Sequence, residues 1–340
     1  MSTPSDSASS DETMRVFQVA ISSLDVDRSK KWYIENLGFL YAGEINPDAD
    51  IEAMRAAGDI TDTDLASIQG LPGASCSKVA WTVDQQEFFQ FELFAYSQPP
   101  VRPRPAGWRP CDIGYTTVGL HVVDFDATVA RLRQNHNELL SEPIGAQGDR
   151  RVCVLDPDGV LLELMEGDLR GAEPVERPRP FVPVVTRSVT LSVPDLAKSL
   201  RFFVETLGMR PVDPQLLHQS RHEALWGLDG ARRASALLDG GDFWVEIVQY
   251  LDPVGTPRPA DYRISDQGLL NVAYGSRDRA TYKKTRDRAV AAGYTAATES
   301  EMPVQNMNYL TDDQGFSVEV NWYAREADAM LGLLPVTETA

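Results

Sequence analysis

A long internal repeat limits the folds open to this chain. The stretch PRPAGWRPCDIGYTTVG, which begins at Pro103, returns as PRPADYRISDQGLLNVA, which begins at Pro257. The two copies share Pro-Arg-Pro-Ala and, further on, an arginine, an aspartate and a glycine at matching places. Self-similarity of this length indicates that the chain contains two copies of one structural unit.

The repeat extends over almost the whole chain. Upstream, FQVAISSLDVDRSKKWYIENLGF at 17–39 matches RSVTLSVPDLAKSLRFFVETLGM at 187–209, and downstream DPDGVLLELME matches DDQGFSVEVNW. The first half carries an insertion, INPDADIEAMRAAGDITDTD, that is either a lid or an ordinary surface helix. We predict the following division of the chain: a disordered tail at 1–13, a first domain at 14–167, a proline-rich linker at 168–184, a second domain at 185–325 and a C-terminal tail at 326–340.

Each half is itself a pair of similar pieces. A piece begins with a short apolar strand, continues with an aspartate and a helix, and ends with strands, the last of which has a central glutamate. In the first piece Asp25 is placed to cap the helix N-terminus, and Gly38 stands where a left-handed C-cap is expected. The pattern therefore predicts four βαβββ modules of the α+β class.

Composition excludes several classes of function. The net charge is −18, which repels phosphate backbones and anionic lipid and so predicts no nucleic-acid or membrane partner. The three cysteines have no CxxC spacing, which favours a reducing, cytoplasmic setting. The N-terminus lacks the features of an export signal, and no apolar run approaches the roughly 18 residues that a membrane span needs. The remaining partner class is a small-molecule substrate.

The tandem modules, the S-x-x-F/W-Y/F-x-x-x-L-G-F/M pattern, the DPDG turn and the last-strand glutamates resemble the vicinal oxygen chelate superfamily. This superfamily includes glyoxalase I, epimerases, extradiol dioxygenases and drug-resistance proteins. The resemblance implies that two modules pair to form one cup-shaped mixed sheet, so that four modules form two cups. Because the chain already contains both halves of a cup, it needs no dimerisation to complete one, and both a monomer and a homodimer remain open.

The resemblance also implies a ligand set for a divalent metal ion. Members of the superfamily place ligands on the first strand, seven residues before the helix-starting aspartate, and on the last strand. Pairing the modules within each half, we predict that Gln18, Glu92 and Glu163 bind the metal, with Thr117 adding at most a weak hydroxyl. The ion itself (Mn, Ni, Co, Zn or Mg) stays open. The second cup would hold these residues: Ser188, Glu246, Asn271 and Glu319.

Other side chains are candidates for the substrate site. Trp81 and Phe94 are predicted to line the first cup and to favour an apolar or aromatic substrate, while His121 could reach into it from the same strand as Thr117. His218 and His222 have HxxxH spacing and are interpreted as part of a solvated loop.

Two functions fit these residues. The first is a glyoxalase-like or epimerase-like enzyme, an isomerase or lyase, that moves a proton next to a carbonyl of a small metabolite in the first cup. Glu92 and Glu163 are its predicted catalytic residues, assisted by the metal or acting as an acid–base pair without one. The second is a metal-free protein that sequesters an apolar ligand. Extradiol dioxygenase chemistry is disfavoured, because Ser188 and Asn271 occupy its histidine positions. The second cup is either active or only a scaffold.

Overall fold

The structure is a computed structural model that describes residues 10–57, 65–71, 73–171 and 180–336. The first module comprises β1 (Arg15–Ser22), α1 (Val26–Leu37), β2 (Leu40–Ile45), α2 (Pro47–Ala57), α3 (Leu65–Gln69), β3 (Ser75–Val83) and β4 (Gln90–Gln98). The second comprises β5 (Gly114–Val122), α4 (Phe125–Gln134), β6 (Arg151–Leu155) and β7 (Leu161–Met165). The third comprises β8 (Val184–Ser192), α5 (Leu196–Leu200), a π-helical continuation (Arg201–Thr206), β9 (Arg210–Val212), two 3-10 segments (Pro214–Leu216 and Ser220–Trp226), β10 (Arg232–Asp239) and β11 (Trp244–Asp252). The fourth comprises β12 (Gly268–Ser276), α6 (Arg279–Ala291), β13 (Thr295–Ala296), β14 (Ser300–Met302), β15 (Gln305–Thr311) and β16 (Ser317–Tyr323).

The predicted class, α+β with two mixed sheets, is confirmed. One sheet has the strand order β13-β15-β16-β12-β1-β4-β3-β2, with β14 on β15. The other has the order β6-β7-β5-β8-β11-β10-β9. The second module is shorter than the βαβββ pattern predicted, since only isolated bridges at Leu139 and Ile144 stand where its additional strand was expected.

The pairing of the modules differs from our expectation. In the nine-stranded sheet β1 of the first module pairs with β12 of the fourth, and in the seven-stranded sheet β5 of the second pairs with β8 of the third. Each sheet therefore takes one module from each half of the chain. We call the concave face of the nine-stranded sheet the 1–4 cup and that of the seven-stranded sheet the 2–3 cup. Pairing the first module with the second, as expected, or with the fourth, as observed, would satisfy the same backbone hydrogen bonds at the edge of β1. Local sequence patterns therefore do not distinguish the two arrangements.

The local signals act as predicted. The Asp25 side chain accepts a hydrogen bond from the backbone N–H of Arg28 at the start of α1, and Gly38 ends the helix with φ of 82°. The helices α4, α5 and α6 also begin after an aspartate whose side chain accepts from the first turn. Such caps satisfy backbone donors that the helix itself leaves unpaired. Asp156 closes the turn before β7 by accepting from the N–H of Val160 at 2.7 Å.

The alternation of β4 divides its side chains between two environments. Phe89, Phe91 and Leu93 enter a core that is continuous over the backs of both sheets and beneath the helices. Glu92 and Phe94 point to the opposite, concave face, as two-residue periodicity requires. This arrangement keeps the Glu92 carboxylate on the concave face and out of the apolar core.

The predicted tails and linker are only partly described. Residues 1–9, part of the predicted disordered tail, lie outside the described residues, but 10–12 form a 3-10 turn whose Asp11 pairs with Arg325. The central part of the predicted linker, 172–179, and residues 58–64 of the insertion also lie outside them. The C-terminal residues up to Val336 pack across the 1–4 cup and are not a free tail. No helix among the described residues is long and apolar enough to cross a membrane.

Candidate functional site

Two glutamates share one amide at the floor of the 1–4 cup. The Gln18 Nε2 atom donates to Glu92 Oε2 at 2.5 Å and to Glu319 Oε2 at 3.3 Å. Gln18 lies on β1, Glu92 on β4 and Glu319 on β16, so three strands converge on this point. The first and fourth modules therefore supply one carboxylate each to a single site.

Small side chains leave room above these strands. In the strand register Ala20 is the partner of both Glu92 and Asn271, and Ala273 is the partner of both Gln18 and Glu319. Paired residues of neighbouring strands point to the same face of a sheet. Alanine at both central positions keeps the space between the polar side chains free.

Burial and mutual repulsion set the charge of the pair. Burial raises the pKa of Glu92 well above its ordinary value, and the charge of Glu319 raises it further. Burial also raises the pKa of Glu319, but hydrogen bonds from Asn321, Tyr309 and Gln18 oppose the increase. Two neighbouring carboxyls of this kind do not both ionise near neutral pH. We therefore assign the shared proton to Glu92, the carboxyl that has fewer compensating donors.

Polar atoms at this floor lack protein partners. Asn271 is 1% exposed, and both its Oδ1 and Nδ2 atoms are without a hydrogen-bond partner among the described residues. Asn321 Oδ1 and Gln305 Oε1, on the same face, are likewise unpartnered there. Buried amides are normally hydrogen bonded, and such exceptions mark places where water, an ion or a ligand binds. Glu92 is partly buried and is less enclosed than the other polar side chains of this floor.

Aromatic side chains form the walls of the 1–4 cup. Trp81 donates from Nε1 to Glu92 Oε1 at 2.9 Å, which fixes the orientation of the carboxyl. Phe94 stacks on Tyr96 with ring centroids 5.6 Å apart, and Tyr309 belongs to the same apolar cluster. The predicted positions of Trp81 and Phe94 on the face of Glu92 are confirmed, whereas their role in substrate binding stays a prediction.

A C-terminal segment, residues 328–336, crosses the 1–4 cup, and we call it the strap. Its Leu331 and Leu333 pack with Phe17, and the Val336 N–H donates to the Tyr41 carbonyl at 2.8 Å. In the orientation that satisfies more hydrogen bonds, the Gln90 amide donates to the carbonyls of Leu331 at 2.7 Å and Gly332 at 2.8 Å. The opposite orientation instead lets Gln90 Nε2 donate to Gln18 Oε1 at 2.8 Å, so in either orientation Gln90 lies between the strap and Gln18.

The floor of the 2–3 cup is filled by one imidazole. His218 Nδ1 lies 2.6 Å from Glu246 Oε2, and its Nε2 lies 3.1 Å from Glu163 Oε2. Both carboxylates raise the pKa of His218 to about 9 despite the opposing effect of burial. The ring is therefore an imidazolium at neutral pH, held between two anions.

Two arginines, together with His218, neutralise the two carboxylates of this cup. Arg151 Nη1 lies 2.8 Å from Glu163 Oε1, and Arg233 Nη1 lies 2.8 Å from Glu246 Oε1. These cations and His218 outweigh burial, lowering the pKa of Glu246 to about 2 and that of Glu163 well below its usual range. Trp226 Nε1 adds a hydrogen bond to Glu163 at 3.2 Å. The second pair of glutamates is thus already satisfied by the protein's own groups.

Comparison with known proteins agrees with this architecture. The sequence model of the Glyoxalase/Bleomycin resistance protein/Dioxygenase superfamily matches residues 15–164 and 186–320, which is most of the chain. The chain belongs to this superfamily. The resemblance inferred from the sequence is therefore confirmed, whereas comparison with curated proteins finds no match.

Solved structures of the superfamily share the fold. Glyoxalase I from Zea mays is 16% identical, with a TM-score of 0.57, and the match covers 94% of this chain and 95% of that one. A protein from Bacillus subtilis, provisionally named a dioxygenase, is 13% identical, with a TM-score of 0.58 and coverage of 96% and 98%. At this level of identity the likeness is one of fold alone.

The residues that we predicted as metal ligands are divided between the two cups. Gln18 and Glu92 meet as expected, whereas Glu163 and Thr117 lie on β7 and β5 of the other sheet. Their expected meeting with Gln18 and Glu92 was wrong, because the first module pairs with the fourth and not with the second. His121 shares the sheet face of Glu163 but forms no hydrogen bond with it, and burial lowers its pKa.

Sequence reasoning also misplaced Glu319, Asn271 and two histidines. Glu319 and Asn271 were identified from their spacing but were placed in a cup with Glu246. His218 and His222 were interpreted as part of a solvated loop, yet the two residues are buried, 4% and 3% exposed respectively. The HxxxH spacing signalled His218, but its partners Glu246, on β11 of the same module, and Glu163, on β7 of the second module, are distant in sequence and no local pattern indicates them.

The 1–4 cup has the donor chemistry for a hard cation. Among the described residues no group of three or more His, Cys, Asp or Glu side chains is placed to hold a metal. The cup instead offers two carboxylates, the Asn271 amide and Gln18, whose amide nitrogen faces the carboxylates in this structure, so that its oxygen would bind a cation only after the amide turns over. An all-oxygen set suits Mg²⁺ or Mn²⁺ better than metals that prefer imidazole. The unpartnered Asn271 side chain is compatible with a bound divalent cation in the 1–4 cup. The 2–3 cup is not compatible with one, because the His218 imidazolium already lies between its two carboxylates.

Proposed function

We propose that the 1–4 cup catalyses proton transfer next to a carbonyl group of a small metabolite, an isomerase or lyase reaction. The observation that supports this is the glutamate pair bridged by Gln18, in which Glu92 has a raised pKa and is partly accessible. The proposal keeps the predicted reaction class and replaces the predicted partner Glu163 by Glu319.

Glu92 is the proton-transferring group in this proposal. A carboxyl with a raised pKa is a stronger base when ionised and a usable acid near neutral pH, which suits transfer to and from carbon. Glu319 is 3% exposed and acts through Glu92, since its negative charge keeps the proton affinity of Glu92 high. Trp81 holds the carboxyl in place through its hydrogen bond.

The walls of the cup indicate the kind of substrate. Trp81, Phe94 and Tyr309 offer an apolar and aromatic surface beside the carboxyl, so we expect a substrate with an apolar or aromatic portion next to its carbonyl. The unpartnered amide of Asn271 is suited to hydrogen bond a substrate oxygen. When bound, a divalent cation held by Gln18, Glu92, Asn271 and Glu319 would supply Lewis-acid stabilisation of the enolate.

Solvent-deuterium exchange tests this function across several classes of carbonyl compound at once. A panel of 2-keto acids, aromatic ketones and hemithioacetals is incubated in deuterated buffer, with and without Mg²⁺ or Mn²⁺, and incorporation next to the carbonyl is measured by mass spectrometry. We expect Glu92→Gln to reduce exchange by about 10²- to 10⁴-fold, the usual contribution of a general base.

Glu44→Gln is the matched control, because Glu44 is a carboxylate of the same module whose partner is the surface residue Lys30. It should retain wild-type exchange. Failure of every compound to exchange, or a Glu92→Gln variant as active as the control, would rule out the proposed reaction.

Binding without chemistry is the second candidate. It is favoured by the number of unpartnered amides at the floor, which would recognise a polar group of a trapped ligand. Quenching of Trp81 fluorescence by aromatic ketones measures this binding. A binding protein would show saturable quenching that Glu92→Gln leaves nearly unchanged, together with no deuterium exchange in the wild type.

A further inference from the structure

The two Pro-Arg-Pro-Ala repeats meet each other away from both cups. The Ile113 N–H donates to the Thr256 carbonyl at 3.0 Å, and the Gln267 N–H donates to the Arg102 carbonyl at 2.9 Å. These contacts bring the connector of the first two modules against the connector of the last two. Between them lies a cleft of about 370 Å³, which we call the connector cleft.

Two equivalent arginines line this cleft. The Arg104 guanidinium lies 4.0 Å from the ring centre of Trp108, and that of Arg258 lies 4.6 Å from the ring centre of Tyr262. Arg104 Nη1 donates to the Gly159 carbonyl at 2.5 Å, and Arg258 Nη1 donates to the Gly315 carbonyl at 2.8 Å. Aromatic stacking and one hydrogen bond thus orient each guanidinium while other N–H groups stay available.

Each arginine reaches across to the opposite repeat. A Cβ atom on Gly268 would contact the Arg104 guanidinium, and one on Gly114 would lie 3.9 Å from Arg258 Nε. Both glycines also have positive φ, 148° for Gly114 and 122° for Gly268. Gly268 therefore leaves space that the Arg104 guanidinium fills, and Gly114 takes the equivalent place beside Arg258.

The positive charge of these arginines has no carboxylate in contact, although Asp156 and Asp158 act on Arg104 and Asp312 acts on Arg258 over longer distances. Among the described residues neither Arg104 nor Arg258 forms an ion pair, although both line the same cleft. The carboxylates around it are already engaged: Arg102 pairs with Asp261 and Asp266, and Arg109 pairs with Asp112. Burial lowers the pKa of Arg104 from its ordinary value, as expected for a cation without a counterion in contact.

We propose that the connector cleft binds a small oxyanion, a phosphate or a dicarboxylate, between Arg104 and Arg258. Paired guanidinium groups recognise such oxygens by charge-assisted hydrogen bonds, often two from one arginine. In a chain with a net charge of −18, two cations without carboxylate partners in one cleft are a specific attraction for an anion. The proposal does not depend on the reaction assigned to the 1–4 cup.

Calorimetric titration of the full chain tests this site with two probes, inorganic phosphate and succinate, at constant ionic strength set by sodium chloride. We expect saturable binding of one equivalent of at least one probe. Binding of phosphate alone would indicate a phosphate-bearing ligand, and binding of succinate alone a dicarboxylate. Arg104→Gln and Arg258→Gln should each weaken binding by about tenfold or more, which corresponds to about 1.4 kcal/mol.

Three further variants keep the test decisive. Arg133→Gln removes an arginine at a surface ion pair with Glu142 and should bind as the wild type does. If the glutamine variants fail to fold, Arg104→Lys and Arg258→Lys keep the charge but lose the guanidinium fork, and weaker binding is still expected. The proposal is overturned if neither probe binds saturably, if chloride competes equally (an adventitious ion only), or if folded variants of Arg104 and Arg258 bind like Arg133→Gln.

Discussion

Equivalent glutamates have opposite electrostatic environments in the two cups. In the 2–3 cup Glu163 and Glu246 are ionised by the contact with His218, whereas in the 1–4 cup Glu92 has a raised pKa and no basic partner in contact among the described residues. The same fold thus supports a neutralised structural cluster on one sheet and a proton-bearing pair on the other. Residue type alone does not separate them, because the decisive histidine comes from a segment outside the strands.

The His218 cluster predicts a specific pH dependence of stability. Its folded pKa of about 9 exceeds the ordinary 6.5, so its contribution to stability is complete below pH 6.5 and is lost as the pH rises through 9. This linkage amounts to on the order of 3 kcal/mol. Denaturant unfolding of the wild type should give a lower free energy of unfolding at pH 9 than at pH 6.5. The His218→Gln variant should be less stable than the wild type at pH 6.5, and most of the difference between the two pH values should disappear.

His136→Gln is the control, because His136 is an exposed residue after α4 and should leave the pH dependence unchanged. Equal unfolding free energies of the wild type at the two pH values would contradict the charged state of His218. A His218→Gln variant with the full wild-type decrease would assign the effect to other groups.

Among the elements, the strap is the one that local sequence patterns do not reveal. Aspartate caps and alternating apolar residues are local signals, so the helices and strands of the modules were predictable. The strap has no such periodicity, and we interpreted it as a tail. Its position is set by contacts of Leu331 and Leu333 with side chains of the first and fourth modules, which lie far away in the sequence.

Substitution of Gly332 tests the strap. Gly332 has φ of 69°, and a Cβ atom there would meet the Trp81 ring at less than contact distance. Gly332→Ala should therefore lower the free energy of unfolding by about 1–3 kcal/mol through backbone strain and the clash. Hydrogen exchange at 328–336 should become faster, while exchange in the strands of the 2–3 cup stays as in the wild type.

Gly293→Ala separates the two causes, because Gly293 has φ of 85° but nothing within 4 Å of the added Cβ atom. It should lose less stability than Gly332→Ala and should leave the strap protected. Equal losses in the two variants would show that Trp81 does not constrain the strap.

On the scale of the whole molecule, the two sheets interlock the halves of the chain. The duplication and the order of strands and helices within a module are readable from the sequence, since each depends on residues close together in the chain. Which module pairs with which is not readable, because β1 presents the same kind of edge to β5 as to β12. The pairing of the first module with the fourth places Glu319 beside Gln18 and leaves Glu163 on the other sheet.

Dividing the chain tests this interlocking. The fragment 1–175 contains the first two modules, whose strands β1 and β5 pair with strands of the other half. Alone it should lack near-ultraviolet circular dichroism and cooperative unfolding, and it should regain both as a 1:1 complex with 176–340. The fragment 100–256, of similar length, contains every strand of the seven-stranded sheet and should be the better folded of the two. If 1–175 instead folds cooperatively as a monomer while 100–256 does not, each half closes its own sheet, and Glu92 and Glu319 do not share a site.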